Sequence, residues 1–338
     1  MKEPDVTVVA PTLFNELHWN YWKTKVFVSA MQLGVFTQLT EGPADSATLA
    51  DRLGLSERTA PDFLDCLVAM GLLRRDAGVY TNTEESAQYF DRGTSHTYLG
   101  DVMLTEAGHL GNDLTAALRA ERSREGASSA REFYDNTYAD ADRTASFQRA
   151  MTAMSYESGA ALADRLPWGR YRTFVDVGCA EGAVGVHLLR AHPHLNGIGF
   201  DLPGARAGFE KYTAAHGLAD RAVFQGGDFL RQPLPAADVV IFGHVLHNWD
   251  LDVKLHLLGQ AHAALPPGGL VVVYEALIDD DRERNVVGLL LSLMMHLSLP
   301  GGFDYTPADC AEWLRETGFT DIRAEHLAGA EAMVVGCK

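Results

Sequence analysis

The chain has 338 residues, of which 28 are basic and 45 acidic, for a formal net charge of −17. That balance argues against a nucleic-acid partner, because neutralising phosphates takes clustered lysine and arginine. With 47% hydrophobic and 22% charged residues the chain is not disordered, and its length suggests two domains.

The four cysteines, Cys66, Cys179, Cys310 and Cys337, form no CxxC pair. Neither a zinc ribbon nor a redox dithiol is expected, and a reducing cytoplasm is the expected compartment. Met1 to Ala10 has no charged region followed by an apolar run, so no signal peptide is expected there. The longest apolar stretch, Val286 to Leu299, is too short to span a bilayer and contains His296.

In chain order, Phe14 to Leu39 predicts an aromatic helix carrying Trp19, Tyr21, Trp22, Phe27 and Phe36. Its aromatic residues can pack on a partner subunit or within their own domain, and the pattern leaves both open. After Ser46 to Leu55, Ser56 is expected to cap a helix from Glu57 to Met70 that Gly71 stops. A short hairpin follows through Ala77-Gly78. Helix, turn, helix and hairpin outline a winged helix. Residues 46–65 hold Arg52 and Arg58 against Asp51, Glu57, Asp62 and Asp65. A recognition helix of that charge would repel phosphate, so the module reads as one for dimerisation.

Residues 91–170 are expected to be largely helical. Arg119 to Arg131, rich in Ser, Gly and charge, reads as an exposed loop. Phe147 to Leu166 reads as one helix with Phe147, Met151 and Met154 on one side. From Thr173, strands alternate with helices: 173–177, 197–200, 223–226, 237–242 and 270–274. Polar residues fall just after the strand ends, where open parallel sheets bind ligands. The expected architecture is an α/β Rossmann-like parallel sheet after an N-terminal winged-helix domain. The expected boundaries are 1–100 for the winged helix, 101–170 for a helical linker and 171–338 for the catalytic domain.

The turn Asp176-Val177-Gly178-Cys179-Ala180-Glu181-Gly182 leaves an apolar strand and enters a helix. Glycines there let backbone approach a ligand. A dinucleotide fingerprint would need glycine at 178, 180 and 183, and Ala180 and Ala183 break it. The Asp-x-Gly-x-x-x-Gly spacing instead resembles motif I of class I S-adenosylmethionine (SAM) methyltransferases. Asp201, at the end of the next strand, can accept hydrogen bonds from ribose hydroxyls, or serve only the turn before Pro203. Asp228-Phe229 can take an adenine amino group and ring, or be a capping Asp and a core Phe.

Further on stand Val245-Leu246-His247-Asn248-Trp249-Asp250, then Pro266-Pro267-Gly268-Gly269, a strand ending at Glu275, and Gly301-Gly302-Phe303-Asp304-Tyr305-Thr306. This order resembles the SAM-dependent O-methyltransferase family of plant caffeate and isoflavone enzymes, acetylserotonin methyltransferase and bacterial antibiotic-tailoring enzymes. The resemblance spans nearly the whole chain. It implies that Asp176, Gly178, Gly182, Asp201, Leu202, Asp228, Phe229, Gly243 and Trp249 hold SAM. It implies His247 as general base, with Glu275 and Asp304 flanking and orienting it. Phe147, Met151, Met154, Met294 and Met295 are expected to line the pocket of a small aromatic acceptor. A homodimer is also implied, each N-terminal domain contributing to its partner's pocket.

The chain departs from the family pattern at several places. Ala180 and Glu181 replace the commoner Gly and Thr, and Asn248 stands where Asp is usual. Gly243 stands where many relatives place Lys or Arg, and Asp304 replaces a Glu. These departures leave C- or N-methylation, or a SAM-dependent reaction without methyl transfer, as alternatives. His244 with His247, and His192 with His194, lack a clear set of further ligands, so no metal is expected.

Overall fold

The computed structural model describes residues 12–93, 98–101, 103–104, 114–120 and 129–338. The chain forms two compact units, Met1–Gly108 and His109–Lys338. Residues 1–10 and 121–128, where no signal peptide and a loop were expected, lie outside the described residues.

In the N-terminal unit the expected opening helix is two helices, α1 (Thr12–Leu33) and α2 (Val35–Thr40). Gly34 separates them at φ 72°, a left-handed conformation that glycine adopts without steric cost. Strand β1 (Ala44–Asp45) leads into α3 (Ser46–Leu53), where the Asp45 carboxylate accepts from Thr48 N. Helix α4 spans Ala60–Ala69. Its N-cap is Thr59 and not Ser56, because residues 57–59 form a turn. Strands β2 (Leu73–Asp76) and β3 (Val79–Asn82) form the expected hairpin, turned by Ala77 and Gly78, both at positive φ. Strand β1 adds to β3, giving a sheet of order β1-β3-β2, and α5 (Glu84–Tyr89) follows. Ala30, Met31, Phe36, Leu49, Leu64 and Leu67 form the core.

In the second unit, α6 (Leu114–Ala120) and α7 (Ala130–Tyr138) take up both ends of the expected 119–131 loop. The helix expected over 147–166 is two, α8 (Ala141–Met154) and α9 (Tyr156–Arg165), meeting at Ser155. Then come β4 (Thr173–Val177), α10 (Ala183–Ala191), β5 (Asn196–Asp201), α11 (Arg206–Ala215), β6 (Ala222–Gly226), β7 (Val239–Gly243), α12 (Leu251–Ala264) and β8 (Leu270–Glu275). The chain closes with α13 (Val286–Ser298), α14 (Pro307–Glu316), β9 (Thr320–Ala328) and β10 (Glu331–Cys337).

The sheet order is β6-β5-β4-β7-β8-β10-β9. Strands β4 to β8 are mutually parallel, as expected, whereas β10 pairs antiparallel with β8 and with β9. Successive residues of a strand face opposite sides. Val175, Val240, Phe242, Val271 and Val273 fill one core, and Phe174, Val239, Ile241, Val272 and Tyr274 fill the other. Both faces are buried, which is why these strands read as continuous apolar runs. Among the described residues no helix is long and apolar enough to cross a membrane.

Candidate active site

The β4–α10 turn carries the first half of the site. Gly178 and Gly182 stand at φ 73° and 86°. A Cβ on Gly178 would lie 2.7 Å from Val245 Cγ2, and one on Gly182 would lie 2.7 Å from the Phe209 ring. Both positions therefore need glycine for conformation and for space. Ala180 holds a left-handed φ of 49°, and its N–H donates to Asp201 Oδ2 at 2.9 Å.

Asp201, at the end of β5, also accepts from Leu202 N at 2.7 Å and lies 3.4 Å from the Tyr138 hydroxyl. Burial pushes its carboxyl up to about 6, against those hydrogen bonds. Asp176 is pushed up to about 7, first by burial and then by the charge of Asp201. Two buried acids held above their ordinary range favour a ligand that brings hydroxyl donors and positive charge. The ribose hydroxyls and sulfonium of SAM have that chemistry, so these residues fit the cofactor.

Asp228 is at the expected strand end, but its carboxylate is engaged. It pairs with Arg131 of α7, lies 3.6 Å from Arg231, and accepts from Leu230 N at 3.0 Å. Phe229 meets Trp249 edge-on at 5.6 Å between ring centroids, and Tyr134 stacks on Trp249 at 6.4 Å. Arg131, Tyr134 and Tyr138 follow helical spacing on α7, so one helix face meets Asp228, Trp249 and Asp201 in turn. Sequence reasoning expected helix over 132–138 but missed that Arg131, Tyr134 and Tyr138 reach the site, a role whose signal is their helical spacing. Gly243 pairs in register with Tyr274, and a Cβ there would overlap the Tyr274 ring and hydroxyl. The space of a side chain at 243 is thus filled by a tyrosine.

His247 lies on a short helical turn after β7 and is buried. Its Nδ1 is 3.1 Å from Asp304 Oδ1. Glu275, fully buried at the end of β8, accepts from the His247 main-chain N–H at 3.1 Å. The expected pair of flanking acids is therefore divided: Asp304 orients the ring and Glu275 fixes the backbone. Burial pulls the imidazole pKa down. The charge of Glu275 and the hydrogen bond and charge of Asp304 outweigh burial, leaving it above its usual value. Glu275 Oε2 and Asp304 Oδ2 are buried with no hydrogen-bond partner among the described residues.

His247, Glu275 and Asp304 offer ligand atoms within 4.8 Å of one another, a metal-compatible set that the histidine spacings did not flag. His192 and His194 instead reach the carbonyls of Ala163 and Trp168, and His244 pairs with Glu331 at 2.8 Å.

Of the expected acceptor residues, Phe147 packs edge-on against Phe133, Tyr134 and Tyr138. Met151, Met294 and Met295 are half-buried, and Met295 packs on the core. Met154 is 39% exposed.

A family model described as an O-methyltransferase domain matches residues 112–320, and an O-methyltransferase dimerisation domain matches residues 16–92. The chain is 38% identical over 338 residues to the tetracenomycin polyketide synthesis 8-O-methyl transferase TcmO of Streptomyces glaucescens, covering 99% of each chain. It is 37% identical to the N,N-dimethyltransferase OxyT of Streptomyces rimosus, covering 91% of this chain and 90% of that one. The crystal structure of human N-acetylserotonin methyltransferase in complex with SAM superposes with a TM-score of 0.84 at 25% identity, covering 99% of each chain. With the SAM-compatible turn and strand ends, these matches identify the chain as a member of the SAM-dependent O-methyltransferase family.

Proposed function

We propose that the protein transfers a methyl group to a phenolic oxygen of a small aromatic acceptor in secondary metabolism, with His247 as general base. The observation that carries this reading is the buried His247–Asp304 pair, 3.1 Å apart. Asp304 on Nδ1 fixes the ring and its tautomer, which leaves Nε2 for the acceptor hydroxyl. A phenol titrates near pH 10, so a base that removes its proton makes the stronger nucleophile. As His247 takes that proton, the charges of Glu275 and Asp304 stabilise the imidazolium.

Asp176, Gly178, Gly182, Asp201 and Leu202 would hold the cofactor at the β4 and β5 ends, with Asp228, Phe229, Gly243 and Trp249 at the β6 and β7 ends. Bound there, SAM supplies an electrophilic methyl on a sulfonium. Phe147 with Met151, Met154, Met294 and Met295 would line the acceptor pocket, where polarizable thioethers suit an aromatic ring.

The polyketide-synthesis O-methyl transferase among the relatives supports an aromatic polyketide acceptor. The dimerisation domain and the exposed Phe14, Leu17, Trp19, Tyr21 and Trp22 of α1 support a homodimer. Four free cysteines agree with a reducing cytoplasm, and the −17 charge favours a small-molecule partner over nucleic acid.

The test is His247→Asn. Turnover should fall by about 10²–10⁴-fold, with SAM affinity by calorimetry close to wild type. Retained turnover would remove His247 as the base. The likeness to OxyT favours a second reading, N-methylation, in which an amine needs less help from a base. Product NMR separates the two, since it places the methyl on oxygen or on nitrogen.

A further inference from the structure

Lys254 of α12 is fully buried and is, among the described residues, the one buried lysine or arginine. Burying an ammonium costs several kcal/mol unless its donors and charge are matched. Its Nζ donates to Trp249 O at 2.6 Å and to Phe303 O at 3.0 Å. It also lies 3.1 Å from the centroid of the Phe303 ring, with Tyr305 and Trp313 further out. Trp249 is two residues after His247, and Phe303 is the residue before Asp304. One ammonium thus joins the turn that carries the histidine to the loop that carries its carboxylate. The Phe303 N–H, donating to His247 O at 2.8 Å, joins the same two segments.

The charges around His247 come from several elements. Glu275 ends β8, Asp304 precedes α14 and Lys254 lies on α12. His244, paired with Glu331 of β10, stands 5.8 Å from the His247 ring. Beside a neutral His247, Glu275 and Asp304 alone would leave two buried negative charges. With Lys254 the group carries one. Burial pulls the Lys254 ammonium down to about 8, while Glu275, Asp304 and Asp250 hold it up. Lys254 in turn opposes protonation of His247.

We propose that Lys254 is a positioning residue for methyl transfer: its buried ammonium clamps the His247 turn to the Asp304 loop and offsets the two carboxylates, keeping His247 free to accept a proton. This rests on His247 acting as the base.

The test compares Lys254→Met with Lys254→Arg. It reads the NMR titration of the His247 imidazole in the free protein, assigned by its loss in His247→Asn, and the pH profile of kcat. In Lys254→Met the His247 titration should move up by about one pH unit, as expected for losing a nearby positive charge. The acid limb of kcat should move with it, and Lys254→Arg should keep the wild-type titration. Wild-type protein itself should show a second inflection of the His247 resonance near pH 8, where Lys254 loses its proton. That reading holds even if Lys254→Met does not fold. An unmoved titration in Lys254→Met, or a wild-type curve without the second step, overturns the coupling. Equal loss of kcat at every pH in both variants also overturns it, leaving packing alone. A shifted titration with an unshifted kcat profile overturns the base reading of His247 and, with it, the role of Lys254 in catalysis.

Discussion

Gly182, like Gly178, is a tight point of the β4–α10 turn. It caps α10 at φ 86°, and any Cβ there would press on the Phe209 ring at 2.7 Å. Alanine would add left-handed strain of about 1–2 kcal/mol and an overpacking cost of about 1–3 kcal/mol. Gly182→Ala should therefore lower stability by roughly 2–5 kcal/mol, seen as a fall of several degrees in the thermal midpoint of the SAM-free protein. An unchanged midpoint would mean that the turn is not held left-handed. Ala180, two residues earlier, already bears such strain at φ 49°. Its N–H reaches the Asp201 carboxylate, a contact that ties the strained backbone to the next strand.

That tie operates between elements. Gly178 N donates to Phe200 O at 2.8 Å and Ala180 N to Asp201 Oδ2, so the end of β5 fixes the shape of the turn after β4. Asp201→Ala would remove the acceptor proposed for the ligand together with an anchor of the turn. SAM affinity should weaken by about 10–100-fold, the range for a hydrogen bond to a charged group, and calorimetry would measure it. Unchanged affinity would sink the ribose assignment. The five parallel strands were legible because each is an apolar run closed by glycine or a polar residue. Strand β9 was not: it is an edge strand with most residues exposed, so its sequence reads as a polar loop. The break at Ser155 has no glycine or proline to announce it. Lys254 was missed because a lysine on a helix reads as solvated. Its burial depends on Phe303, Tyr305 and Trp313, which are distant in sequence. His247, Glu275 and Asp304 were legible through the order of their motifs. That Glu275 grips the backbone and not the ring depends on the bend of a short turn, which no spacing encodes.

Across the whole molecule, the −17 charge divides into a solvated majority and a few buried acids. Among the described residues the buried acids are Asp91 in the first unit and Asp176, Glu181, Asp201, Glu275 and Asp304 in the second, with Lys254 as the buried cation. The acids separate further by protonation. Burial pushes Asp176 up to about 7 and Asp201 up to about 6, and the charge of Asp201 adds to the rise at Asp176, so the neutral forms are favoured in the free protein. A cationic, hydroxyl-bearing ligand favours the ionised form, so binding below about pH 7 must release protons. The sign follows: affinity is greatest above the raised pKa values and falls as pH drops through them. SAM affinity should weaken by roughly tenfold between about pH 7.5 and 5.5. Calorimetry near pH 6.5 in buffers of different ionisation enthalpy should show net proton release on binding. Net proton uptake, or affinity flat across that range, would place these two carboxylates outside the cofactor site. The acid limb of kcat would be set by His247, whose imidazole is held above its usual value by Glu275 and Asp304. Binding measured by calorimetry and kcat at saturating SAM separate the two titrations, since the first reads Asp176 and Asp201 and the second reads the base.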